Sequence, residues 1–201
     1  MPELAAPPVP APELSRGWIR AVLFEHGIDD WVDLGPDPVR RHWVGETYAE
    51  QFAAVYSAWK WLTDQSGNDI DEPPEDKVLP DALALAVGAA DWTDLCVALL
   101  TVVRAEGLLL RGLARRGDDV ARRAFDKAAR DCAGQAALGY RELHQRSAFI
   151  DADGVQARLD RAVAATRRWL AEVAASGGED VTEEWEARVA ALVEPLGYRL
   201  P

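Results

Sequence analysis

The most regular hydrophobic pattern in the chain runs from Asp91 to Ser147 and predicts two long helices joined at the turn RRGDD. In the first helix, apolar residues recur every three or four positions, which is the period of a buried helical stripe. The members of this stripe are Trp92, Leu95, Leu99, Val102, Val103, Leu110 and Leu113. Gly117 should end this helix and Asp118 should cap the next one. We therefore expect a helical hairpin whose inner faces lie in the core.

The second helix of the hairpin has an apolar stripe made mostly of small residues. Its members are Ala121, Phe125, Ala128, Cys132, Ala136, Gly139 and Leu143. Small side chains let two helix backbones approach closely, so the two helices should pack tightly. The opposite side of this helix is basic and should face solvent, as should His144.

Similar stripes predict helices before and after the hairpin. We expect a short helix over 14–26, a longer one from Pro38 to about Thr63 with two apolar faces, and another from Asp153 to about Ala175. Thr182 is placed to cap a final helix that buries Trp185 and Val189. Between the first two helices, Trp31 and Leu34 lie in a turn-rich segment and should tuck under the bundle.

These patterns predict an all-α protein with long antiparallel helices and short flanking helices. No stretch alternates apolar and polar residues for long enough to form a sheet. The proline-rich stretch at residues 1–12 is typical of a disordered arm, and residues 13–201 have a length suited to a single helical domain.

Charge narrows the choice of partners. The formal net charge of −12 argues against binding to nucleic acid and to anionic membranes, because no basic patch is available. The apolar run from Ala82 to Val103 is interrupted by Asp91 and Asp94, which favours a core helix over a membrane span. No targeting signal is recognisable, so we expect a cytoplasmic protein in which Cys96 and Cys132 are buried free thiols.

Glu106 is the residue on which a functional interpretation depends. It falls at the centre of the first stripe, whereas Arg104 and Arg115 should lie on the far, solvated side of the helix. A carboxylate on an apolar face must be paired or coordinated. Two interpretations follow: Glu106 binds a metal ion, or it is a structural carboxylate paired with an arginine or a tyrosine.

Other metal ligands are available on the predicted helix from Pro38 to Thr63. Glu46 and Glu50 could supply carboxylates, and His42 lies four residues before Glu46. Di-iron bundle proteins use Glu-x-x-His pairs at a spacing of three, which His42 and Glu46 do not match. The alternative is that Glu46 and Glu50 form a partly solvated flank between two tryptophans.

The sequence has no glycine-rich phosphate loop, paired CxxC motif, GxSxG elbow or HExxH motif, which removes most enzymes that a sequence motif can identify.

The stretch from about residue 90 to 201 resembles the ferritin-like subunits of the phenylacetyl-CoA epoxidase type, in the phenylacetic acid catabolic family. The resemblance rests on DWTDLCVALL, on the acid Glu106 in mid-helix, on ARRAFDKAARD, on LGYREL, on RLDRAVAATRRWL and on the ending WEARVAALVEPLGYRLP. It implies a ferritin-like bundle. Catalytic subunits of that family carry Glu-x-x-His where this chain has Cys132-Ala133-Gly134-Gln135, so both ligands are replaced.

The resemblance also implies a role. A sister subunit in that family has no working metal site and serves as a scaffold for the catalytic subunit. By analogy, this chain should be an accessory or structural subunit of an oxygenase-type complex that binds a protein partner or a second copy through its helix faces. The alternative is an atypical oxygenase that holds iron through Glu106, Glu50, Glu46 and His42 and acts on a small apolar or CoA-linked substrate. A third reading is a helical bundle that binds a small molecule without catalysis.

Overall fold

The computed structural model describes residues 31–45, 80–146 and 151–201, and every regular element in these ranges is a helix. The predicted all-α class is therefore confirmed for this part of the chain. The labelled helices are α1 (Asp81–Val87), α2 (Trp92–Ala98), α3 (Arg104–Ala114), α4 (Asp119–Arg146), α5 (Ala152–Ala175) and α6 (Thr182–Val193). The predicted arm at 1–12 and the predicted helix at 14–26 lie outside the described residues.

Helices α2 and α3 are joined without a loop, and together they pack against α4 as the predicted hairpin. A π-helical turn, Leu99–Val103, connects the two. Helix α3 ends at Ala114, three residues before the predicted stop, and the carbonyl of Leu113 accepts the N–H groups of Arg116 and Gly117. The carboxylate of Asp118 accepts the N–H of Val120 at 3.0 Å, which confirms that Asp118 caps α4.

Small residues set the distance between the two arms of the hairpin, as the sequence predicts. A Cβ atom added to Gly139 of α4 would lie 2.4 Å from the carbonyl oxygen of Cys96 on α2. One added to Gly107 of α3 would lie 2.8 Å from the Cβ of Cys132 on α4. Both glycines are therefore points where the helices come too close for a side chain.

The π turn is the main departure from the predicted hairpin, because the apolar period suggests one unbroken α-helix. Thr101, in the middle of the turn, is fully buried and its hydroxyl donates to the carbonyl of Val97 at 2.8 Å. The carbonyl of Thr101 accepts the indole N–H of Trp185 at 2.9 Å, which ties α6 to the turn. A π turn takes more residues per revolution than an α-helix, so directions calculated across it from an ideal wheel are shifted.

Arg104, the first residue after the π turn, corrects one prediction. It was expected on the solvated side of the helix, but it is half-buried and its Nε atom has no contact with solvent. Arg115, for which the same expectation was made, is exposed.

Helices α5 and α6 match their predicted extents closely. α5 begins one residue before Asp153 and buries Leu159, Val163 and Trp169. The break after α5 contains Gly177 at φ +87°, a left-handed conformation that glycine adopts without strain. The prediction that Thr182 caps α6 is wrong. Thr182 is the first helical residue, and its N–H is bound at 3.0 Å by the carboxylate of Asp180.

The segment 31–45 packs against α1 and α4. Trp31 is buried, as predicted, and its indole N–H donates to the carbonyl of Ala86 in α1 at 3.0 Å. Leu34 is partly buried against the same core. Residues 31–34 and 38–45 are helical, so the beginning of the predicted helix from Pro38 is present and the rest of it lies outside the described residues.

The apolar run from Ala82 to Val103 is interrupted where the sequence suggested. Asp91 caps α2 by accepting the N–H of Asp94 at 2.8 Å, and Arg158 of α5 pairs with both carboxylates at 2.7 Å. None of the described helices combines the length and the apolar character that crossing a bilayer requires. Leu83, Leu95 and Val102 from this run are among the most buried residues of the core.

Candidate functional site: two buried carboxylates

Glu106 lies in the core, as the apolar stripe predicts. Its side chain is on α3 and only 5% of its surface is exposed. The neighbouring residue Gly107 lies against Cys132, which places Glu106 at the level of Cys132 on α4. Gln135, one helical turn further along α4, is also buried. The positions at which the resemblance would expect Glu-x-x-His therefore lie at about the same level of the hairpin as Glu106.

The other predicted ligands do not gather around Glu106 in the part of the chain that the structure describes. Glu46 and Glu50 lie outside the described residues. His42 belongs to the helical segment 38–45, and its side chain is exposed. Arg40, two residues before His42, reaches Glu142 rather than Glu106.

Glu142 is a buried carboxylate that the sequence patterns do not single out. It lies on α4 with 3% of its surface exposed. Its Oε2 atom accepts the Nε–H of Arg40 at 2.6 Å and the indole N–H of Trp92 at 3.2 Å. Arg40 also pairs with Asp37 at 2.5 Å, and the hydrogen bonds that Arg40 donates to Glu142 and then to Asp37 raise the pKa of its guanidinium. Glu142 is thus held by a cation and a neutral donor.

A second set of regularly spaced residues on α4 could have revealed that Glu142 is buried. Gln135, Leu138 and Glu142 are spaced by three and four residues, which puts them on one helical face. All three are buried, so α4 has a second buried face beside its stripe of small residues. The sequence contains this signal, but the polar residues at both ends make it easy to take for a solvated face.

The two carboxylates are too far apart to bind one metal ion together. The contacts of Gly107 with Cys132 and of Gly139 with Cys96 fix an antiparallel register for the hairpin. In that register Glu142 is level with Cys96, and Glu106 is level with Cys132. Cys132 and Glu142 are ten residues apart in α4, which corresponds to about 15 Å along the helix. Ligand atoms of a single metal ion lie only about 2 Å from it.

Cys96, which is level with Glu142, is a poor ligand and nucleophile in this environment. Cys96 and Cys132 are both buried, as predicted. Burial, followed by the negative charge of Glu142, raises the pKa of Cys96, so the thiol stays protonated.

Within residues 31–45, 80–146 and 151–201, no three His, Cys, Asp or Glu side chains are grouped so that they could hold a metal ion. The described residues do not by themselves fit a di-iron ligand set, which needs carboxylates and histidines converging from several helices. What the described site offers chemically is a buried ion pair at Glu142 and a buried acid at Glu106.

No family model, no curated protein and no solved structure matches the chain. The likeness to the ferritin-like subunits therefore remains a prediction from the sequence.

Proposed function

We propose that the protein is a helical accessory or structural subunit of an oxygenase-type complex, with a ferritin-like arrangement of helices. The observation that carries this proposal is that Glu142 is engaged in an ion pair between structural elements. This buried carboxylate binds Arg40 and Trp92 and so ties segment 31–45 to α4 and α2. A carboxylate engaged by a guanidinium in the core contributes to holding the helices together and is not available as a metal ligand.

The surface between α1 and α5 supports the idea that a protein partner binds there. A groove of about 520 Å³ lies between these helices, and its floor includes Ala84, Leu85 and Ala164. Leu85 is 38% exposed and adds its apolar side chain to the surface of the groove. Arg161, Arg168 and Asp81 line the same groove, and Arg168 pairs with Asp81. An apolar floor beside the cation of Arg161 suits a helix that has an apolar face and an acidic flank.

The proposal is tested by measuring which subunits and metal ions the native assembly contains. The protein is purified from its own cells under gentle conditions and analysed by native mass spectrometry and metal analysis. We expect a complex in which a different subunit carries iron, and we expect Leu85→Asp to dissociate it. Leu85→Ala is the matched control, because it shortens the side chain without adding a charge. A monomer without partner at working concentration would overturn the proposal.

A second candidate function is an atypical iron oxygenase, which is favoured by the burial of Glu106 beside Cys132 and Gln135. In that case the ligands would be Glu106, Glu50, Glu46 and His42. Iron measured after anaerobic loading with ferrous iron discriminates between the two. About two irons per chain, lost in Glu106→Ala and retained in Glu184→Ala on the exposed side of α6, would support the oxygenase. An equal, low iron content in all three proteins would exclude it.

A further inference from the structure

Arg104 is a cation whose position calls for an explanation. Its Nε–H is buried and has no hydrogen-bond partner in the part of the chain described. No carboxylate of the described residues pairs with it, although the chain as a whole has twelve more acidic than basic side chains. Buried polar groups are almost always hydrogen-bonded, and a desolvated charge without a counterion costs stability.

The helices place a second arginine, Arg188, beside Arg104. Trp185 of α6 bonds the carbonyl of Thr101, and Glu179, just before α6, lies against Gly112 near the end of α3. These two contacts show that α3 and α6 run in opposite directions. Arg104 and Arg188 each lie three residues beyond the Thr101–Trp185 contact, and helical side chains lean towards the N-terminus of their own helix. The two side chains therefore converge on this contact.

Near the Thr101–Trp185 contact, the described charged groups are two guanidinium groups and one carboxylate that pairs with the second of them. Burial and, after it, the charge of Arg188 lower the pKa of Arg104. Arg188 is held by Glu184, whose Oε1 atom accepts its Nε–H at 2.9 Å and one terminal N–H at 2.7 Å. Among the described residues, Glu184 thus pairs with Arg188 and leaves the charge of Arg104 without a carboxylate partner. The terminal nitrogens of Arg104 form no hydrogen bond with any described residue.

We propose that Arg104 and Arg188 form a binding site for the carboxylate or phosphate group of a small-molecule ligand at the junction of α3 and α6. Guanidinium groups present planar, paired donors that match the oxygens of both groups. An oxyanion bound between them neutralises the charge of Arg104 and gives its terminal N–H groups acceptors. Because Nε is buried, the guanidinium has less freedom to move before the ligand arrives, which reduces the entropy lost on binding.

The test uses the side-chain Nε–H signals of arginine in nitrogen-15 labelled full-length protein, observed by NMR. Because the Nε–H of Arg104 is shielded from water, its signal should be sharp, and it is assigned by its absence in Arg104→Gln. Inorganic phosphate and acetate are titrated separately at constant ionic strength. We expect saturable shifts of the Arg104 signal, and the anion that binds more tightly identifies the group that the site prefers.

Variants separate a specific site from general attraction of anions. Arg188→Gln should weaken binding about tenfold, since it removes one charged partner of the anion. Arg141→Gln, on the exposed side of α4, should leave the affinity unchanged. The proposal is overturned if neither anion shifts the Arg104 signal, or if exposed arginines such as Arg141 respond to the same extent.

Discussion

Glu142 illustrates what keeps a charged side chain inside a helical core. Its carboxylate is almost fully enclosed and is satisfied by Arg40 and Trp92. Replacing a buried ion pair with apolar residues is often harmless, but removing one partner leaves an uncompensated charge and is strongly destabilising. The cost of losing Arg40 therefore depends on whether the Glu142 carboxylate remains.

A double-mutant cycle at this pair tests its role. Arg40→Met should lower the free energy of unfolding by about 3 kcal/mol, because it leaves the Glu142 carboxylate buried without a cation. Glu142→Gln should cost less, since the amide oxygen still accepts the Trp92 N–H. The double variant should be more stable than the sum of the single effects by at least about 1 kcal/mol. Urea unfolding measures all four proteins. Strict additivity would mean that the pair is not coupled.

The burial of a single residue is easier to predict from the sequence than the identity of the side chain that it pairs with. The burial of Glu106 follows from its place in an apolar stripe of its own helix. The pairing of Glu142 with Arg40 joins residues 102 positions apart, and no local period records it. The burial of Arg104 was missed for the same reason, because α6 packs beside the start of α3 at the Trp185–Thr101 contact and no local period records that contact.

At the scale of helices, the boundaries that depend on local signals were predicted well. Asp118 caps α4 and the glycines after Ser176 end α5, since both effects involve neighbouring residues. Thr182 was misjudged because it is the first residue of the helix and not the residue before it, and its own N–H is accepted by the carboxylate of Asp180, two residues earlier. The close approach of α2 and α4 was also predictable from the small residues, although the particular contact of Gly139 with the Cys96 carbonyl was not.

Two glycines of α4 provide a matched pair for testing that close approach. Gly139→Ala should destabilise the protein by about 1–3 kcal/mol, because the new methyl group meets the backbone of α2 and the helices must move apart. Gly134 is exposed and has nothing within 4 Å of its potential Cβ. Gly134→Ala should therefore stabilise the protein by about 0.5–1 kcal/mol through helix propensity.

Thermal unfolding of both variants beside the parent protein provides the measurement. Equal increases in stability for Gly139→Ala and Gly134→Ala would show that α2 and α4 are not in tight contact at Gly139.

At the scale of the whole molecule, segment 31–45 is fastened to the bundle at two separate places. Trp31 binds α1, and Arg40 binds α4. The all-α class could be predicted, because the apolar stripe of each helix shows which of its faces is buried. Which helix faces pack against each other could not be predicted, because many arrangements of amphipathic helices bury the same residues.

Hydrogen exchange monitored by mass spectrometry tests the double attachment. Trp31→Ala combined with Arg40→Ala should speed exchange across residues 31–45 and leave α5 and α6 unchanged, because the hydrogen bonds of Trp31 and Arg40 to the bundle reach α1 and α4. Each single variant should show a smaller effect. Faster exchange throughout α5 and α6 would mean instead that the segment and the bundle unfold as one unit.

The π turn at Leu99–Val103 makes the number of residues in this stretch as important as their identity. A π turn holds roughly one residue more than an α-helix of the same rise. Deleting a single residue here would remove the extra residue, let α2 and α3 merge into a regular α-helix and leave the later positions facing nearly as they do now. Inserting a further residue would instead rotate every later position by about 100° relative to α2, turning Gly107 away from Cys132 and Glu106 out of its place in the core. This stretch should therefore tolerate the loss of one residue far better than the gain of one.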